Sequence, residues 1–252
     1  MTKRRSGSLI LCYHAVSETW EHALSVRPVT FDRQLRSLVR RGCRGVSASD
    51  ALTAGGGALH VTFDDAYKSV ANALPVLERL GLPATVFASA AYADTGRPLD
   101  VPELAAQAAA HPDELATMDW EELRALAERG VEIGSHTVSH PHLPRLSDAE
   151  IDRELRDSRT HIEDELGRPC RFLAYPYGEH DARVRAGAQR VGYEAAHSLA
   201  SRTKRADVQR FAVPRIDLYR RDGVLVTTLK TSMLRRPAVT AMGLVRRRGV
   251  YQ

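Results

Sequence analysis

Three short stretches of this 252-residue chain carry side chains able to do hydrolytic chemistry. Thr62-Phe63-Asp64-Asp65 sets two carboxylates side by side at the end of an apolar run. Adjacent carboxylates ionise together only where something positive holds them. The pair therefore points to a metal on one and a basic side chain near the other. Its plainer alternative is a pair of capping aspartates ahead of a helix beginning at Ala66. His136-Thr-Val-Ser-His140 places two imidazoles four residues apart, on one face if the stretch is a helical turn, where both can reach one ion. Two histidines at this spacing also arise by chance on surfaces. Tyr175-Pro176-Tyr177-Gly178 combines a proline-held backbone with a glycine turn, so amide N–H groups can point into a cavity as an oxyanion hole does. An ordinary Pro-Gly turn has the same sequence.

What raises these signals is what precedes each of them. Ala58–Phe63 runs as a short apolar strand straight into Asp64. Val131–Gly134 leads into Ser135-His136, and Arg171–Tyr175 ends in the Pro-Tyr-Gly turn. Further short apolar runs are expected as strands at 8–13, 84–88, 193–197 and 211–213. Between them lie helical patterns. Thr30 is placed to cap one bearing Phe31, Leu35 and Leu38. Val70, Leu74, Leu77 and Leu80 mark another, stopped by Gly81. Asp119 caps a third, Ser147 and Glu150 form a capping box for a fourth, and two more are expected toward Val191 and after Asp222. The stretch 92–118, rich in alanine, reads as an excursion loop with some helix.

Alternating strand and helix predicts an α/β fold with mainly parallel strands, and this many units favours a distorted (β/α) barrel in a single domain over an open sheet. In such folds ligands bind beyond the C-terminal ends of the strands, where all three stretches fall. Two histidines plus one carboxylate would make a three-ligand ion site with open positions, as a catalytic ion requires.

Composition narrows the classes. A 43% hydrophobic and 27% charged chain is ordinary for a globular enzyme. The net charge of +5 owes much to the ends, read as a basic N-terminal tail over 1–7 and a basic C-terminal tail over 235–252 that flank a domain at 8–234. Basic residues interleaved with aromatics on a folded face are missing, which argues against nucleic acid as a partner. Three cysteines without a CxxC pairing fit a reducing compartment. There is no signal-like h-region and no transmembrane-length run, so a cytoplasmic location is expected.

Together the three stretches resemble the polysaccharide deacetylase family with the NodB-type domain, the family-four carbohydrate esterases. Thr62-Phe-Asp-Asp65, His136-Thr-Val-Ser-His140 and Tyr175-Pro-Tyr-Gly178 look like its first three motifs, in order, and the resemblance covers nearly the whole chain. It implies a metal-dependent hydrolase that releases acetate from an N-acetylated amino sugar, oligosaccharide or glycoconjugate. It also implies that Asp65, His136 and His140 bind a divalent ion, usually Zn2+, that Asp64 is the base, and that the Tyr177 N–H stabilises the oxyanion. Ala66 stands where the first motif usually has glycine, a change expected to cost little. Ala174 replaces an arginine that normally pairs with the base, and Arg215, in Val213-Pro-Arg-Ile216, is put forward as its substitute; its alternative is a surface arginine.

The late motif that usually supplies the general acid is absent, and His197 lacks its aspartate. Leu11-Cys-Tyr-His14 resembles the start of the circularly permuted poly-N-acetylglucosamine deacetylase branch, in which an early Tyr-His supplies the acid. His14 is therefore the expected acid, with His197 second. His142 reads as a neighbour rather than a ligand, and His60 as a packed strand residue. Two other functions are weighed: an amidohydrolase acting on a small N-acyl metabolite, and a catalytically silent glycan-binding domain, which the intact Asp64 disfavours.

Overall fold

Short apolar runs become strands, five of the seven buried along their length. In the computed structural model, which describes residues 8–201 and 209–235, these are β1 (Leu9–Tyr13), β2 (Ala58–Phe63), β3 (Ala84–Ala88), β4 (Glu132–Ser135), β5 (Phe172–Ala174), β6 (Ala195–Leu199) and β7 (Val213–Asp217). Each pairs in parallel with the next, and β7 pairs with β1. The sheet thus closes into a barrel of seven strands, one fewer than the eight of a regular β/α barrel. A two-residue strand, Arg44–Gly45, adds to the start of β2. Strand 211–213 of the sequence reading sits later, at Val213–Asp217, and 193–197 becomes Ala195–Leu199. The N-terminal tail 1–7 lies outside the described residues, as does the C-terminal tail 235–252 beyond Arg235.

Alternation along the strands sorts the side chains. Leu9, Leu11 and Tyr13 of β1 and Leu59, Val61 and Phe63 of β2 join the main core with Phe31, Leu35 and Leu38 of helix α1 (Pro28–Arg40). The intervening residues fill the barrel, and much of that filling is polar: Cys12, His60, Thr62, Thr85, His197 and Arg215 are all buried. Phe87, Phe172, Ala174 and Ala195 supply an apolar cluster of their own. His60 is satisfied where it lies, with Nδ1 2.9 Å from the Val46 carbonyl and Nε2 2.9 Å from Thr85 Oγ1.

The helices cover the outside. Pro28 occupies the first turn of α1, so Thr30 lies inside the helix and does not cap it. After β2 the chain forms a 3-10 turn, Lys68–Ala73, and then α2 (Leu74–Leu80), stopped by Gly81 at φ 60°. Reciprocal capping boxes start α3 (Trp120–Glu128) from Asp119 and α4 (Asp148–Leu166) from Ser147. α5 (Ala182–Val191) and α6 (Val224–Arg235) complete the layer. No described helix is long and apolar enough to cross a membrane.

The excursion 92–118 is packed rather than loose. Leu99, Val101, Leu104, Ala108 and Leu115 form a second core with Trp20, Tyr67 and Tyr92. Main-chain bonds from Met118 N–H to the Ala66 carbonyl and from Lys68 N–H to the Ala116 carbonyl tie its end to the loop after β2.

Candidate active site

The end of β2 delivers two carboxylates in different directions. Asp64 N–H still donates to the Tyr13 carbonyl (2.9 Å), so its side chain keeps the inward phase of Thr62. Asp65 and Ala66 then turn left-handed, at φ 67° and 49°. Each such non-glycine residue costs roughly 1–2 kcal/mol, so alanine in place of glycine at position 66 is less innocuous than the sequence suggests. This turn separates the two aspartates, and the helix expected from Ala66 begins only at Lys68.

His136 leaves the end of β4 with its N–H on the Ala88 carbonyl (2.8 Å). The residues that follow are not a helical turn: Thr137 and His140 have φ 73° and 59°. The loop is shaped by Thr137 Oγ1, which accepts the His140 N–H at 3.1 Å, and by Glu154 of α4, which accepts from the Val138 and Ser139 N–H groups at 2.8 and 3.0 Å. It still brings the two imidazoles together. Asp65 Oδ1 lies 3.4 Å from His136 Nε2 and 3.3 Å from His140 Nε2.

These three donors fit a divalent ion. They are buried and mutually within 4.8 Å. His136 Nδ1 is 2.8 Å from the Ala174 carbonyl, which fixes that nitrogen as a donor and turns Nε2 toward Asp65, where the neutral ring would offer its lone pair to an ion. Asp65 Oδ1 has no hydrogen bond of its own despite its burial. A nitrogen-nitrogen-oxygen set of this kind suits zinc. A second group within the same distance, Cys12, His14 and Asp64, suits an ion poorly. Arg215 grips both oxygens of Asp64, at 2.6 and 2.8 Å, and its cation opposes another beside it.

Arg215 itself is fully buried on β7 and also donates to Thr62 Oγ1 at 3.1 Å. Burial pushes the Asp64 carboxyl up, but Arg215, with His136 and His14, outweighs it and brings Asp64 down to about 2. Burial likewise opposes ionisation of Asp65, and the two histidine contacts reverse it, holding Asp65 well below the usual carboxylate range. Both aspartates are therefore anionic at neutral pH.

His14 follows β1, is 7% exposed, and shares the compact group with Asp64 and Cys12. The Cys12 thiol donates to Asp64 Oδ2 at 3.3 Å. His197 is placed elsewhere. On β6 it pairs with Val213, two residues below the Leu199–Arg215 pair, so it sits a layer beneath the arginine. Its ring lies 5.5 Å from that of Phe87 and 6.1 Å from that of Phe172, and burial first, then Arg215 and His60, push it well below an ordinary histidine.

The third stretch forms a 3-10 turn, Pro176–Gly178, with Tyr177 at φ 58° and Gly178 at φ 65°. Tyr177 meets His140 edge-on at 4.7 Å and stacks on His142 at 3.9 Å. Its hydroxyl donates to Glu103 Oε2 at 2.9 Å. His142 bridges two carboxylates, with Nε2 3.0 Å from Glu103 and Nδ1 2.9 Å from Glu179. Sequence reasoning missed this network. His142 and Glu179 each sit two residues beyond a motif residue, which is a usable signal; Glu103 arrives from the distant excursion and offers none.

Comparison with known proteins follows the same lines. A family model for polysaccharide deacetylases matches residues 52–196, more than half of the chain. That range includes Asp64, Asp65, His136, His140 and Tyr177 and leaves out His14 and Arg215. YxkH of Bacillus subtilis (strain 168), provisionally named a polysaccharide deacetylase, is 24% identical over 201 residues, 77% of this chain and 64% of that protein. The match thus spans less than two thirds of that relative. Among solved structures, the Streptococcus pyogenes deacetylase PplD in complex with acetate superposes with a TM-score of 0.75 at 20% identity, covering 90% of this chain and 98% of that one. IcaB from Ammonifex degensii gives 0.70 at 21% identity, covering 89% and 97%. At these identities the structural likeness speaks for the fold.

Proposed function

Because this chain belongs to the polysaccharide deacetylase family, we propose that its centre is a metal-dependent N-deacetylase site that hydrolyses the acetamide of an amino sugar or glycan to acetate and a free amine. The observation that carries the reading is the pairing of an ion-ready triad, Asp65, His136 and His140, with a neighbouring carboxylate, Asp64, that is locked on an arginine and kept ionised. A divalent ion, zinc by its donor set, would acidify water and polarise the acyl carbonyl when bound.

The chain's own groups account for the proton movements. Asp64 takes the proton of the attacking water. Arg215 holds its carboxylate charged and oriented by two parallel bonds; the Cys12 thiol takes a further lone pair of Oδ2, which leaves Oδ1 for that task. The Tyr177 N–H donates to the oxyanion as the acyl carbon becomes tetrahedral, the kind of contribution that is usually the largest single one. His14, beside Asp64, protonates the nitrogen that departs, so that an amine leaves and not an amide anion. His197 is too deep in the barrel for that role.

The reading is tested on purified protein by metal analysis and by acetate release from N-acetylated chitooligosaccharides. Asp65→Ala is expected to lose both bound metal and activity. Asp64→Asn is expected to keep the metal and lose activity by roughly 10²–10⁴-fold. Full turnover by the Asp64 variant would sink the assignment.

A further inference from the structure

The reaction site is braced from a direction that the three motifs do not reveal. Tyr177 carries the peptide N–H proposed for the oxyanion, and its backbone is held left-handed at φ 58°. Strained conformations of this kind persist where surrounding contacts over-determine them. Here the contacts are on the side chain. One ring face stacks on His142, with 3.9 Å between centroids and 10° between planes, while His140 packs edge-on at 4.7 Å. The hydroxyl is tied to Glu103 at 2.9 Å, and Glu103 also holds His142 at 3.0 Å. Glu179, directly after the turn, takes the other nitrogen of His142 at 2.9 Å. Ring, imidazole and two carboxylates therefore form a closed circuit around one peptide.

We infer that Glu103, His142 and Glu179 are positioning residues that hold the Tyr177 peptide in its oxyanion-binding orientation, and that the excursion 92–118 acts on the reaction through Glu103. The inference rests on the role given to Tyr177 above. Glu103 is suited to the task because its neighbours are anchored. Val101 and Leu104 lie in the excursion's own core with Leu99 and Leu115, so the carboxylate projects from a fixed base. The side chains of Glu103, Glu179 and His142 are 29%, 22% and 19% exposed, so the circuit sits at the mouth of the site, partly shielded from water. None of the three belongs to the ion triad, so the circuit can be cut at Glu103 without removing a metal ligand.

The test uses the zinc-loaded full chain, para-nitrophenyl acetate as the acyl probe, and amide hydrogen exchange of the segment 175–180. Glu103→Ala and Tyr177→Phe are each expected to lower kcat roughly tenfold, with KM and zinc content unchanged. The double variant should be no slower than the slower single one, because both substitutions cut the same bond. Glu103→Gln, whose amide oxygen still accepts from the tyrosine hydroxyl, should recover most of the rate. Exchange across Tyr177–Glu179 should quicken in Glu103→Ala. Wild-type kcat in both single variants overturns the inference, and so do losses that multiply in the double variant. A wild-type protein inert toward the ester would count against the catalytic reading instead. The exchange arm still decides the circuit in that event, since unchanged exchange in Glu103→Ala removes it.

Discussion

Asp64 and Asp65 are neighbours in sequence and meet different partners because the backbone turns left-handed at Asp65. Asp64 continues the inward phase of its strand and meets Arg215; Asp65 leaves that phase and meets two imidazoles. The Asp64–Arg215 pair is the most exposed to testing. Without the guanidinium, burial is opposed only by His136 and His14, and the pKa of Asp64 rises from about 2. In Arg215→Ala the acid limb of the kcat/KM profile should therefore move to higher pH, since more alkali is needed to ionise the base. The same substitution strands a buried carboxylate and should cost about 3–5 kcal/mol of stability. A pH profile that superposes on the wild type would show that Arg215 does not set the state of Asp64.

At the scale of elements, the barrel holds the site by close approach of strands as much as by side-chain choice. Gly134 in β4 shows this. A methyl group there would lie 2.6 Å from ring carbons of Phe87 and 2.9 Å from the Phe172 carbonyl, so both neighbouring strands would have to give way. Gly134→Ala is expected to cost roughly 1–3 kcal/mol by overpacking, measured as a lower urea midpoint. Because His136 lies two residues downstream on the same strand end, metal affinity should fall with it. An alanine variant with wild-type midpoint and metal content would mean that the barrel is softer at this level than its packing implies. The loops follow the same logic: Glu154 of α4 shapes the His136–His140 loop through its backbone, although no sequence spacing links them.

For the whole molecule, the unusual feature is a closed barrel whose interior carries buried neutral histidines. Burial, only partly offset by the Val46 contact, lowers His60 to about 4, and His197 is also lowered. A histidine whose pKa is depressed on folding leaves the unfolded chain to take the proton first. Its contribution is complete above about 6.5 and is lost as pH falls toward about 4. For His60 that amounts to about 3 kcal/mol. Urea unfolding at pH 7 and pH 5 should show the loss, and His60→Gln should shrink the difference between the two. The acidic window of Asp64 lies lower and does not overlap it.

Local chemistry was legible in the sequence to the extent that it is carried by neighbours along the chain. Apolar runs ending in Asp-Asp, Ser-His and Tyr-Pro-Tyr-Gly located the strands β2, β4 and β5 and the rim they share, because parallel strands bring their C-terminal ends to one side. The capping boxes at Asp119 and Ser147 were equally readable, since a cap involves residues three apart. Other features depend on distances that no local pattern encodes. The HxxxH spacing suggested a helical turn, whereas tertiary contacts made it a loop with two left-handed residues. The depth at which His197 lies in the barrel is set by the register of β6 against β7. Glu103 reaches the Tyr177 hydroxyl only because the excursion folds on its own core. Residue types and short spacings state which chemistry a chain can do; closure of the barrel decides which of those residues meet, because contact between distant segments is a property of packing and not of sequence separation.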